Sequence, residues 1–207
     1  MSKFATAPVS VLLSLSLTGC MDSRTPSEKA AKKEKKAPEP VTGLTAYYRM
    51  YSHARTWATD LQGYNLQSIS LPELPARDGK YPAWRCTFVS EAKRAQKTYS
   101  FSAIEVEGLH EGVFAGHEES YTPGGNNLPF ISLALKKDSP EILATAMKKG
   151  EDYTKKHREL PITLLVERTK RFGNNPTWRV VWGSSVATSN FSIYIDASTG
   201  EYLQTMH

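Results

Sequence analysis

Only two cysteines occur in 207 residues, too few for a disulfide-stapled scaffold. Thirteen glycines and twelve prolines exclude a collagen-like polymer, and a hydrophobic content of 40% is too high for a chain that stays unfolded. Apolar runs are short: none reaches the about 18 residues that a membrane-crossing helix needs. G-x-S-x-G, H-E-x-x-H, Walker and G-x-G-x-x-G patterns are missing, and Gly124-Gly125-Asn126-Asn127 after Pro123 reads as a turn, not a phosphate cradle. What the chain has in excess is positive charge, 26 Lys/Arg against 21 Asp/Glu, a net +5. Residues 1–42 hold seven Lys/Arg against four Asp/Glu, whereas 43–207 hold 19 against 17. A near-neutral domain lacks the footprint of a nucleic-acid binder, so no nucleic-acid partner is expected.

The chain opens with Lys3 and an apolar stretch from Val9 to Leu17, closing in Leu17-Thr18-Gly19-Cys20. The apolar part is too short to span a bilayer core of roughly 30 Å and has the layout of a secretory signal. Its last four residues resemble the lipobox of bacterial lipoproteins. That resemblance implies cleavage before Cys20 and a diacylglycerol thioether on its sulfur. Residues 1–19 are then the signal peptide. Two acyl chains hold a protein stably to a membrane where one does not. The expected location is the cell envelope, anchored by lipid and facing the periplasm or exterior. Met21 after the cysteine leaves inner and outer membrane both open.

Residues 20–42 are rich in Lys, Glu, Ala and Pro, with Met21 and Val41 as the large apolar side chains. Such a stretch buries too little to offset its ordering entropy and reads as a tether. Beyond it, residues 43–207 are long enough for a core without staples. Tyr47, Met50, Ala54, Trp57, Ala58 and Leu61 recur at helical steps and predict a helix over 45–61, capped by Thr45 and ended near Gly63. Ser139-Pro140-Glu141 announces a second helix with Ser139 as its cap, Pro140 in its first turn and Ile142, Leu143, Ala146, Met147 and Tyr153 facing inward.

Each helix is followed by strand-like text: 66–71, then 84–88 and 98–106 after the first, and 162–167, 178–182 and 191–195 after the second. Pro82-Ala83-Trp84-Arg85-Cys86-Thr87-Phe88-Val89-Ser90 aligns with Pro176-Thr177-Trp178-Arg179-Val180-Val181-Trp182-Gly183-Ser184. The order helix–strand–strand–strand thus occurs twice. The expected fold class is α+β, with a first helix-plus-sheet repeat over 43–135 and a second over 136–207. Each repeat would hold one helix on an antiparallel sheet of about three strands. Alternation places Trp84, Cys86 and Phe88 on one face, with Cys86 a buried thiol, and Trp178, Val180 and Trp182 on the equivalent face.

The second repeat, residues 139–203, resembles a PepSY domain through Trp178-Arg179-Val180 and the hairpin Ile195-Asp196-Ala197-Ser198-Thr199-Gly200-Glu201. The first repeat lacks that turn, with Glu105-Val106-Glu107-Gly108 in its place, and is tied to the family through the internal repeat. In the hairpin, Asp196 can accept backbone N–H groups and Gly200 can supply the positive φ. The resemblance implies tandem PepSY-like units of the kind found in envelope and secreted proteins, some beside peptidases, with inhibitory or chaperone-like roles. It implies no catalytic residues.

Arg85 and Arg179 occupy equivalent places, pointing away from the tryptophans. They either lie solvated over the sheet or line a concave face as a pair of cations for a carboxylate. His110 and His117 lie near Glu111, Glu118 and Glu119, but their spacing matches no zinc signature, so no metal site is expected. No cofactor is expected either. The sequence therefore predicts a non-enzymatic, lipid-anchored envelope protein that binds or restrains a protein partner. A lipoprotein that binds a small ligand or peptide is the alternative, and a hydrolase using a His site the more distant one.

Overall fold

The computed structural model describes residues 37–173 and 175–207. The signal peptide, Cys20 and residues 21–36 of the tether lie outside the described residues. The order of elements is α1 (Gly43–Ala54), β1 (Gln62–Ile69), β2 (Ala83–Ser90), β3 (Ala95–Ser102), β4 (Gly112–Ser120), α2 (Ser139–Lys149), α3 (Glu151–Lys156), β5 (Ile162–Glu167), β6 (Thr177–Trp182), β7 (Ser192–Asp196) and β8 (Tyr202–Met206). All eight strands form one antiparallel sheet in the order β4-β3-β2-β1-β5-β6-β7-β8.

This corrects the expected fold. Two tandem helix-on-sheet units of about three strands each are not present; a single continuous sheet is. Strands β1 and β5 join its halves through Asn65–Glu167, Leu66–Val166 and Gln67–Leu165. The buried hydroxyl of Ser68 extends that seam by accepting the Leu164 N–H at 2.9 Å. One core cluster runs under both helices and takes Trp84, Cys86 and Phe88 from one half and Trp178, Val180 and Trp182 from the other. Two separate sheets would leave two more edges in total with unpaired backbone groups, and the seam removes them. β4 and β8 were absent from the sequence reading, because Gly112–Ser120 and Tyr202–Met206 carry little of the alternating apolar pattern that marks a half-buried strand.

The helices also differ from expectation at their ends. α1 starts two residues early: Thr42, not Thr45, is its N-cap, and Ala46, Tyr47, Met50 and Ala54 are buried at three- and four-residue steps. Beyond Ala54 the chain turns, with the Thr56, Trp57 and Ala58 N–H groups bonding back to His53 and Ala54, while side chains reach to other elements. Trp57 donates its indole N–H to Glu118 on β4, and Asp60 accepts from the Ser90 hydroxyl at 2.6 Å and the Ala92 N–H at 2.9 Å. Val41, assigned to the tether, bridges to Tyr81. Gly63 does not end a helix. It sits in β1 against the Phe130 ring, where a Cβ would lie 2.4 Å from a ring carbon. The second helix breaks at Gly150 into α2 and α3, and Met147, expected inside, is 37% exposed. A Cβ on Gly150 would lie 3.1 Å from Ile193 and 3.2 Å from Phe191, so the break carries a close approach to β7.

The N-termini of α1 and α2 meet over the seam. Asp138 Oδ1 accepts the N–H of Ser139, in its own helix, at 2.7 Å and that of Leu44, in the other, at 2.9 Å. The Ser139 hydroxyl accepts the Gly43 N–H at 2.8 Å and donates to the Gly79 carbonyl at 2.7 Å. Below, Trp84 and Trp178 pack edge to face with centroids 6.3 Å apart. Each donates its indole N–H to the residue two places before a helix start: Trp84 to Val41 at 3.1 Å, Trp178 to Lys137 at 2.9 Å. A Cβ on Gly43 would stand 2.5 Å from Trp178 and 3.1 Å from Trp84. The Asp196 hairpin follows its sequence reading. Asp196 Oδ1 accepts from the Ser198 and Thr199 N–H groups at 2.7 and 2.9 Å, and Gly200 has φ 80°.

Two outcomes test this arrangement. Gly43→Ala should cost about 2 kcal/mol or more through overpacking between the two indoles. Ser139→Ala should cost about 1–3 kcal/mol, because two buried backbone groups lose their partner; chemical denaturation measures both. The Asp196 carboxyl is buried enough to be pushed up, but bonds from Asn175, Thr199 and Ser198 outweigh burial and hold it below its ordinary 3.8. A depressed folded value adds stability that is complete above 3.8 and lost as pH falls through the lower value. Asp196→Asn should therefore flatten the acid limb of the stability curve in that window, read by thermal melts from pH 5 downwards.

Candidate functional site on the helix-free face

Both helices lie on the tryptophan side of the sheet, so the functional question turns to the opposite side. Residues opposite each other across every ladder share a face. One row crosses all eight strands: Phe114, Ser100, Arg85, Gln67, Leu165, Arg179, Tyr194 and Gln204. Arg85 and Arg179 thus stand in one row, three strand spacings or about 14 Å apart.

Their surroundings differ. Arg179 is nearly enclosed. Its side chain is 16% exposed, as is that of Glu167, whose carboxylate lies 4.0 Å away. Its Nε donates to the Ser192 hydroxyl at 3.2 Å, and its guanidinium lies over the Tyr194 ring at 5.1 Å. Phe172, in the short turn Lys170–Phe172, packs on that ring with centroids 4.6 Å apart. Burial, and next the Glu167 charge, push the Tyr194 hydroxyl up to about 12. Arg85 is exposed, between Gln67 and Ser100, and has no ion-pair partner among the described residues. Nearby, Thr87 and Thr98 bond through their hydroxyls at 2.8 Å, and Asn65 accepts the Thr87 N–H at 3.2 Å. The two arginines are therefore placed differently. One closes an internal contact and the other faces outwards.

The remaining candidates are scattered. His110 meets Glu105 at 2.6 Å and packs on Phe114, whereas His117 lies on the exposed strand β4. Among the described residues no three His, Cys, Asp or Glu side chains gather as a metal site. Cys86 is fully buried, as its alternation predicted, and burial pushes its thiol well above the ordinary range. Among the described residues no helix is long and apolar enough to cross a membrane.

Grooves that the sequence did not signal lie where the helices fall short of the sheet edges. Between α1 and β3–β4, a groove of 660 Å³ is lined by Tyr48, Arg49, His53, Phe101 and Val113. At the other end, a groove of 390 Å³ lies between α2–α3 and β8, lined by Lys149, Tyr153, Lys156, Phe191, Thr205 and His207. Neither arginine of the row lines these grooves. Each groove combines residues from a helix and from a strand missed in the sequence, so no local motif could have marked it.

No protein-family profile matches this chain, and no curated protein matches it. The PepSY resemblance accordingly stands on the quoted motifs alone. A solved structure from Clostridium difficile, described provisionally as a lipoprotein, is similar over 83% of this chain and 95% of its own, at 9% identity and a TM-score of 0.46.

The different placement of the arginines has a measurable consequence. Arg179→Ala removes the cation paired with the shielded Glu167 carboxylate and should cost about 1–3 kcal/mol. Arg85→Ala should change stability by less than about 0.5 kcal/mol. Urea denaturation of both variants beside the native chain gives the comparison.

Proposed function

We propose that this chain is a lipid-anchored envelope protein that binds another protein without catalysing a reaction, and that the helix-free face around Arg85 is its contact surface. The anchor rests on the lipobox-like Leu17-Thr18-Gly19-Cys20, with the lysine-rich residues 21–36 as spacer. The observation that carries the binding surface is the contrast within one row. The sequence keeps an arginine at both equivalent positions; the one in the second half is used internally, while Arg85 presents its guanidinium outwards. Arginine is a strong former of bidentate bonds to carboxylates and is enriched at protein interfaces. Gln67 and Ser100 beside it supply neutral donors and acceptors. The PepSY-like hairpin supports a regulatory role of the inhibitory or chaperone-like kind.

Two measurements test this reading. Cys20→Ser should move the full-length chain from the membrane to the soluble fraction; continued sedimentation with membranes rejects the anchor. For the binding surface, a photo-crosslinker is placed at Gln67 in the full-length, membrane-bound chain. A discrete adduct should form and fall about tenfold when Arg85→Glu is added. If no adduct exceeds that of a control carrying residues 1–42 alone, the binding reading fails.

A further inference from the structure

Strand β4 has β3 on one side and, among the described residues, no strand on the other. It is nine residues long and mostly exposed. A free edge of this kind presents alternate backbone N–H and C=O groups to another extended chain. Natural sheets often protect an edge by shortening it or covering it with a helix. Here α1 stops short and leaves the 660 Å³ groove, which continues past His53 and Val113 into a further 340 Å³ reaching Trp57. Two large side chains flank the edge on opposite faces: Tyr48 on the helix side, 45% exposed, and Phe114 in the Arg85 row, 46% exposed. An added strand sends alternate side chains to both faces and so covers both aromatics.

The edge is also polarised along its length. Its first half is Gly112-Val113-Phe114-Ala115 and its second half is His117-Glu118-Glu119. The approach from Ala103 to Ser120 holds Glu105, Glu107, Glu111, Glu118 and Glu119 with no Lys or Arg. Trp57 and Gln96 bind Glu118 and Glu119 through neutral donors, and Lys97 stands opposite Glu118 across the β3–β4 ladder, so the acidic half keeps a net negative charge.

We propose that β4 is a docking edge that receives an extended segment of a partner protein as a ninth, antiparallel strand, basic where it passes Glu119 and Glu118 and apolar where it passes Phe114 and Val113. This rests on the reading that the chain binds a protein and adds a contact surface separate from Arg85. The same charges argue against a second copy of this chain. β8, its other sheet edge, has no Lys or Arg to meet the glutamates. A second β4 laid antiparallel about Gly116 sets Glu118 and Glu119 of each copy against Phe114 and Val113 of the other. The chain's own Lys29–Lys36 stretch supplies charge but no apolar residue larger than alanine.

The test uses the full-length chain and the probe peptide acetyl-KTKTVTVT-amide, followed by amide hydrogen exchange and fluorescence anisotropy. The peptide should slow exchange about tenfold within Val113–Glu119. N-methylation of one alternate set of peptide amides should abolish binding, and methylation of the other set should leave it intact. Glu119→Lys should weaken the probe about tenfold and admit acetyl-ETETVTVT-amide in its place. Arg85→Glu should leave probe binding unchanged. Absence of binding, equal tolerance of both methylated sets, or protection confined to other strands overturns the inference. Self-association abolished by Glu119→Lys overturns it in favour of a second copy, and probe binding that appears only after deletion of residues 21–36 overturns it in favour of the chain's own lysines. If the peptide fails while the Arg85-dependent adduct persists, the edge inference falls alone; if both fail, the protein-binding reading falls with it.

Discussion

Two helix N-termini pointed at one another are an electrostatic liability, since each carries about half a positive charge and several N–H groups without intrahelical partners. The fold depends on how this is resolved. Asp138 places a carboxylate between α1 and α2 and accepts from both, and Ser139 takes the Gly43 N–H while donating to Gly79. Gly43 and Ser139 are 96 residues apart and Leu44 and Asp138 are 94, so the contact ties the two halves of the sheet domain together. Gly43 belongs to the same knot. Only a residue without Cβ lets α1 settle onto Trp84 and Trp178, whose indoles then satisfy the carbonyls just upstream of each helix.

The remaining architecture follows from that junction. With both helices anchored over the seam, their bodies run along one face and cover its centre. Among the described residues the opposite face carries no α-helix, and its side chains pack on one another and on the turn Lys170–Phe172. In the second half these are tied inwards, with Arg179 to Glu167 and Ser192, and Tyr194 under Phe172. In the first half Arg85 projects outwards. The two halves of the sheet therefore differ on this face. Arg179 belongs to the internal contacts of one half, and Arg85 faces solvent in the other.

Much of the centre was legible in the sequence, because it rests on local pattern. The strand Ile162–Glu167, the inward faces of Trp84, Cys86, Phe88, Trp178, Val180 and Trp182, and the Asp196–Gly200 turn all follow from alternation and turn chemistry. What was not legible depends on partners far away in the chain. Trp57 and Leu61 continue a helical pattern, yet the chain leaves the helix after Ala54, where the side chains of Trp57 and Asp60 bond to Glu118, Ser90 and Ala92. Ser139 has the chemistry of an N-cap, but Asp138 takes that place because its carboxylate reaches two helices at once. The equivalence of Arg85 and Arg179 was readable; the difference in their use was not, since Glu167 and Phe172 meet Arg179 and Tyr194 only in the folded sheet.

The union of the two repeats into one sheet also decides where edges remain. Joining β1 to β5 removes two edges and leaves β4 and β8 as the ends, at the two strands that carry least apolar pattern. Those ends are unlike each other. β8 is short and uncharged, whereas β4 is long, apolar at its start and acidic at its finish. A strand protected only against aggregation needs charge anywhere along it. β4 instead keeps its charge to one half and in the other leaves Phe114 exposed beside a half-buried Val113. That separation gives the edge a direction and a register, which general repulsion would not require and selective pairing with an extended chain would.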